Sequence, residues 1–126
     1  WRGIAFEDLC IRHMSQIKKA LGISGVITSQ SNWIVPGSEN EAGMQIDLLI
    51  NRNDNIVNMC EMKFYHEDFT VNGEYNKKIA SRANKLHEDL PKKYAVHSTL
   101  ITTYGLTYNE YSGAFQQVIT LEELFS

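Results

Sequence analysis

Apolar residues recur at helical spacing near the start of the chain, at Phe6, Leu9, Cys10, His13, Met14, Ile17, Ala20 and Leu21. The spacing predicts an amphipathic helix over residues 4–21, which Gly22 is suited to end. A first strand is expected from Gly25 to Trp33 and a polar loop from Pro36 to Gly43. Met44 to Ile50 and Ile56 to Phe64 read as two strands joined by an Asn/Asp/Arg-rich turn. Tyr75, Ile79, Ala83, Leu86 and Leu90 form one stripe of a second helix over 74–90, stopped by Pro91. His97 to Thr103 and Gln116 to Thr120 give two more strands, and Thr120-Leu121-Glu122-Glu123 fits a capping box opening a short last helix. The pattern is that of one α/β (α+β) domain over 1–126, with an αβββαβ order and a central mixed sheet flanked by helices.

Two of these strands are unusual in what they carry. Asp47 stands within the apolar run Ile46 to Ile50, while Glu61 and Lys63 follow Ile56 to Cys60. Charged side chains in strands of this apolar content require a partner. Alternation sets Gln45, Asp47 and Leu49 on one face and Met44, Ile46, Leu48 and Ile50 on the other, with Glu61 and Lys63 sharing the face of Val57 and Met59. A hairpin centred on Asp54 pairs positions whose numbers total 108, so Asp47 opposes Glu61 and Gln45 opposes Lys63. Facing carboxylates destabilise a sheet unless a cation lies between them, and hard oxygen donors suit magnesium or manganese. The competing reading is a salt-bridge cluster on a solvated sheet face. Glu7 lines up with Cys10, Met14, Ile17 and Leu21, which points it toward the sheet; complementing the helix dipole is the alternative.

Composition narrows the setting. The chain has 126 residues, 43% of them hydrophobic and 21% charged, as in ordinary globular domains. No apolar run is as long as a membrane span, and Trp1-Arg2-Gly3 does not resemble a signal peptide. The absence of an initiator methionine suggests a fragment of a longer protein. Cys10 and Cys60 lack CxxC spacing and read as two buried thiols in a reducing, cytoplasmic compartment. A net charge of -3 argues against non-specific nucleic-acid binding by the whole surface. Lys77, Lys78, Arg82, Lys85, Lys92 and Lys93 nevertheless concentrate half of the twelve basic residues in one stretch. The first four could contact phosphates, or simply form a solvated helix face.

Gln45-Ile46-Asp47 followed by Glu61-Met62-Lys63, on adjoining strands after a helix bearing Glu7, resembles the PD-(D/E)XK nuclease superfamily with its restriction-endonuclease-like fold. Phe6-Glu7-Asp8, Cys60 to Phe64, Thr99 to Gly105 and Ile119 to Phe125 extend the likeness across nearly the whole chain. In that wording it is similar to the nuclease-like C-terminal domain of bacterial and archaeal AAA-type ATP-binding proteins. Ile46 departs from the proline in the superfamily's name. The resemblance implies a metal-dependent DNA endonuclease-type domain attached to an N-terminal ATPase module of the same chain. It implies Asp47, Glu61, the Met62 backbone carbonyl and Glu7 as ligands of Mg²⁺ or Mn²⁺. Lys63 would orient the attacking water, and Gln45, Lys77, Lys78 and Arg82 would meet substrate. A catalytically silent module that binds or regulates the ATPase is the alternative, and homo-oligomerisation is left open.

Other residues take plainer readings. Tyr75 is expected in the core with its hydroxyl at the rim, and His13 as a core histidine. His66, His87 and His97 lack ligand spacing. Trp33, Tyr104, Tyr108 and Tyr111 could stack on bases or a partner, or close the core.

Overall fold

The computed structural model describes residues 12–40 and 43–124. Their elements are α1 (Met14–Leu21), β1 (Thr28–Val35), β2 (Met44–Arg52), β3 (Ile56–Lys63), α2 (Gly73–Asp89), β4 (Ala95–Thr102), a 3-10 turn (Ser112–Ala114), β5 (Gln117–Thr120) and α3 (Leu121–Leu124). The strands form one five-stranded sheet in the order β1-β2-β3-β4-β5. β1, β2 and β3 are antiparallel to their neighbours, whereas β3, β4 and β5 run parallel. A parallel neighbour cannot follow a tight turn, and α2 supplies the long return from β3 to β4. The expected mixed sheet with flanking helices is present, an α+β fold.

Each face of the sheet has its own core. Met14, Ile17 and Leu21 of α1, with Leu124 of α3, pack on Leu48, Ile50, Cys60, Ile101 and Ile119. Ile79 and Leu86 of α2 pack on Ile46, Leu49, Val57, Met59 and Leu100 of the opposite face. Ile17, Ile79, Leu86, Leu100 and Ile101 are at most 1% exposed. Burying one such side chain is worth about 1.5–3 kcal/mol.

Local signals explain most boundaries. Gly22 adopts φ 73°, and hydrogen bonds from Gly22 N–H to Lys19 and from Ile23 N–H to Lys18 close a left-handed cap on α1. The Asn72 side chain accepts from Tyr75 N–H and starts α2 at Gly73. Glu123 accepts from Thr120 N–H at 3.1 Å, as the capping-box reading of α3 requires. The first strand begins at Thr28 rather than Gly25 and reaches Val35. Its exposed Ser29, Gln30, Ser31 and Asn32 suit an outer strand, where polar side chains discourage pairing with another chain. Ala20, expected on the apolar stripe of α1, is exposed. Among the described residues no helix is long and apolar enough to cross a membrane. Glu7, Cys10 and the first half of the expected helix lie outside the described residues.

Candidate functional site

The β2–β3 hairpin turns through Asn53, Asp54 and Asn55, with Asn55 at φ 68° completing a three-residue loop. Arg52 clamps the turn through Asp54, Nη2 lying 2.6 Å from Oδ2, and this bond holds the Asp54 carboxyl below its ordinary range. The hairpin has the expected register: Leu48 faces Cys60, Leu49 faces Met59, Ile50 faces Asn58 and Asn51 faces Val57. The paired positions end there: Asp47 adjoins Leu48 in β2, and Glu61 adjoins Cys60 in β3.

Alternation along β2 is not continuous. Ser31 pairs with Leu49 but Trp33 pairs with Ile46, so Asp47 and Leu48 together oppose Asn32. This bulge exchanges the faces of the strand. Leu48 and Ile50 join the α1 core, whereas Ile46 joins Leu49 in the α2 core. The expected grouping of Ile46 with Leu48 is therefore corrected. Gln45, between Met44 and Ile46, points to the side away from α2, exposed beside Ile34. It does not share a face with Lys63, and its expected place beside that residue is withdrawn.

Glu61 and Lys63 do share the α2 face, following Val57 and Met59. Glu61 is 7% exposed, and its Oε1 accepts from Arg82 Nη1 of α2 in a charged hydrogen bond. The cluster is thus partly a salt bridge, but one held between sheet and helix, not on a solvated face. Lys63 Nζ lies over the Tyr75 ring, 5.2 Å from its centroid, a cation–π geometry. Tyr75 is fixed by Phe69, edge to face at 5.2 Å, and Phe69 in turn stacks on Tyr65. Lys63 is also the direct neighbour of Thr102 in the parallel β3–β4 register. Leu100 belongs to the α2 core, so Thr102, two residues on, presents its side chain to the same face.

Two hydroxyls of this cluster are orphaned. Tyr75 Oη and Thr102 Oγ1 are buried and have no hydrogen-bond partner among the described residues. A buried hydroxyl left unsatisfied costs about 1–3 kcal/mol. Burial, reinforced by the Glu61 carboxylate, raises the Tyr75 phenol above its ordinary value and keeps it a neutral donor. Neither hydroxyl was prominent in the sequence. Thr102 becomes a neighbour of Lys63 only through a long-range parallel pairing, and Tyr75 sits on a stripe that reads as core.

The basic stretch divides in the structure. Arg82 turns inward to Glu61, while Lys77 and Lys78 are exposed. Lys77, Ser81, Lys85 and Glu88 of α2 form one wall of an open groove of about 700 Å³, and Val35 and Met44 contribute to the other. Glu61 and Lys63 do not line it. Lys85 lies 3.9 Å from Glu88, an exposed pair that contributes little. Trp33 Nε1 donates to Asp89 at 3.1 Å, tying β1 to the end of α2. Tyr104 and Tyr108 are exposed rather than closing the core.

The opposite face carries a second polar network. Asn58 is fully buried and donates to Thr99 Oγ1 at 3.0 Å and Gln117 Oε1 at 3.2 Å, and it accepts from Arg52. These bonds knit β3, β4 and β5 to the hairpin turn. Cys60 is buried, as expected, and its Sγ donates to the Asn58 carbonyl at 3.8 Å.

Among the described residues no group of three or more His, Cys, Asp or Glu side chains gathers to hold a metal. Glu7 and the side chain of Asp47 lie outside that set. No family model matches the chain, and no curated protein matches it. Among solved structures it is similar to the crystal structure of a protein of unknown function, AF1548, at 20% identity and a TM-score of 0.53. The match covers 92% of this chain and 64% of that one, so the chain spans less than two thirds of its neighbour's length. The likeness establishes the mixed α+β fold that brings Glu61, Lys63, Arg82, Tyr75 and Thr102 to one face of the sheet.

Proposed function

We propose that the chain is a metal-dependent DNA endonuclease-type domain that hydrolyses phosphodiester bonds and works attached to an ATPase module. The observation that carries this reading is the placement of Glu61 and Lys63 on one face of β3, the strand that pairs with the β2 segment next to Asp47. The resemblance of the same residues to the PD-(D/E)XK pattern supports it.

The donor chemistry fits a hard divalent cation. The buried Glu61 carboxylate already holds a cationic group, the Arg82 guanidinium. Asp47, the Met62 carbonyl and Glu7 are the further oxygen donors that would join Glu61 in holding Mg²⁺ or Mn²⁺. Such an ion, when bound, supplies Lewis-acid polarisation of the phosphate and a more acidic water. Lys63, steadied by the Tyr75 ring, places an ammonium where negative charge grows on the phosphate. Arg82 is the second cation within reach of that charge once Glu61 is otherwise compensated. Lys77 and Lys85 offer the DNA backbone a basic wall on the adjoining groove.

The test combines calorimetry and cleavage. Mn²⁺ should bind the wild type and lose heat in Asp47→Ala and Glu61→Ala, while Lys63→Ala should bind Mn²⁺ yet fail to cut plasmid or structured DNA when joined to the ATPase. Unchanged metal binding in both carboxylate variants sinks the proposal. The Glu61–Arg82 pair itself favours a second reading, a catalytically silent module that binds or regulates the ATPase. On that reading Arg82 satisfies Glu61 permanently, and cleavage is absent or indifferent to Lys63→Ala.

A further inference from the structure

We propose that the Tyr75 and Thr102 hydroxyls, flanking Lys63, form an oxyanion subsite that receives a non-bridging phosphoryl oxygen. The proposal deepens the nuclease reading and rests on it for the identity of the oxyanion as a phosphodiester; the subsite itself rests on three features of the fold.

Thr102 is fully buried, and its Oγ1 has no partner among the described residues. A threonine in a strand interior packs as well when replaced by valine, so an unpaired hydroxyl there points to a polar guest. Tyr75 Oη is orphaned in the same way on the helix that covers this face. Both adjoin Lys63: Thr102 as its backbone neighbour on β4, and Tyr75 as the ring beneath its Nζ.

A cation selects the guest. Glu61 is answered by Arg82 in their ion pair, and Lys63 sets a separate ammonium over the Tyr75 ring, on the face that carries the two hydroxyls, which favours an anion there. Neutral hydroxyls can donate to that anion, and the raised acidity threshold of Tyr75 preserves its proton. A phosphoryl oxygen accepts several donors at once, whereas a water would have to satisfy two donors and remain beside an ammonium. Phe69 packs edge to face on Tyr75, and Tyr65 stacks on Phe69, so the Tyr75 ring is positioned by the fold before anything binds.

Inorganic phosphate is the probe, titrated into the isotope-labelled chain at low ionic strength and followed by amide shifts around 61–63 and 100–103. Thr102→Val and Tyr75→Phe should each weaken phosphate by about tenfold or more, the worth of one hydrogen bond to a charged group. Both variants should melt at or above the wild-type temperature, because each removes an orphan. Thr102→Ser restores the hydroxyl and should restore phosphate to within about threefold. Phosphate affinity unchanged in both variants, or no phosphate binding to the wild type, overturns the subsite. A lowered melting temperature in both variants also overturns it, since the hydroxyls would then serve the fold. Mn²⁺ calorimetry on Asp47→Ala and Glu61→Ala reports separately on the nuclease reading. Failure there with phosphate binding intact leaves an anion site without metal chemistry, and failure of phosphate alone leaves the metal reading standing.

Discussion

Glu61 of β3 and Arg82 of α2 are joined by a charged hydrogen bond across the interface between sheet and helix, with side chains 9% and 25% exposed. The bond makes Arg82 a resident cation at the position where a divalent ion is proposed to bind. Removing one partner of such a pair leaves the other charge poorly compensated. For a fully buried pair the loss is about 3–5 kcal/mol, and the partial exposure of Arg82 reduces this to about 2 kcal/mol for Arg82→Ala. The same variant should bind Mn²⁺ more tightly than the wild type, because the ion no longer competes with a guanidinium. Urea denaturation with and without Mn²⁺ measures both effects. A destabilisation that millimolar Mn²⁺ does not reduce would show that the pair is purely structural.

The Tyr75 phenol gives the fold a definite weakness in alkali. Its folded-state pKa is raised above the ordinary value of 10.0 by burial and then by the Glu61 carboxylate. Above pH 10 the unfolded chain releases a proton that the native chain retains, so stability falls as pH rises through that window. Below pH 10 the contribution is constant. Tyr75→Phe should therefore flatten the decline in urea midpoint above pH 10 relative to the wild type and leave its slope between pH 6 and 9 unchanged. Parallel alkaline limbs for the two proteins would contradict the assignment.

Much of this face was legible in the chain, for reasons that end at identifiable places. The hairpin register followed from the Asn53-Asp54-Asn55 turn, whose centre fixes which residues face each other, and Glu61 and Lys63 followed by alternation with Val57 and Met59. The bulge at Asp47 and Leu48 was not legible, because apolar residues occupy both faces of β2 and no break in pattern marks the extra residue. It reversed Gln45 and Ile46 while leaving the register beyond it intact. Arg82 reads as one member of a basic helix face, and only the crossing of α2 over β3 singles it out from Lys77 and Lys78. Thr102 depends on the register of a parallel pair separated by a whole helix, which local spacing cannot supply. Glu7 was read from helical spacing alone and lies outside the described residues.

Asn58 separates the stability of the sheet from its chemistry. It lies on the α1 face, donating to Thr99 and Gln117, whereas Glu61 and Lys63 lie on the α2 face. Asn58→Ala removes those bonds and leaves Thr99 and Gln117 to find other partners, a loss of about 1–3 kcal/mol. Mn²⁺ affinity should be unchanged at temperatures where the variant is folded. Thermal unfolding and calorimetry on one preparation check the two halves of this expectation. A variant with normal stability would mean that the network adds nothing to the fold.

Lys77 and Lys85 line the groove between α2 and the β1–β2 strands without touching the Glu61 cluster. If this wall carries DNA, its contribution is electrostatic and falls with salt as counterions are released. Each phosphate contact adds about 0.9 to the slope of log affinity against log salt for duplex DNA. Lys77→Ala with Lys85→Ala should therefore lower duplex affinity at low salt and reduce the slope by up to about 2. Mn²⁺ binding should be unaffected, since neither lysine is paired with Glu61. Fluorescence anisotropy of a labelled duplex at several salt concentrations measures the slope directly. An unchanged slope would remove the groove from the DNA path and leave Arg82 and Lys63 as the positive charges available to the backbone. A reduced slope would instead show that DNA lies along the exposed face of α2, with the Glu61 cluster at one side of its path.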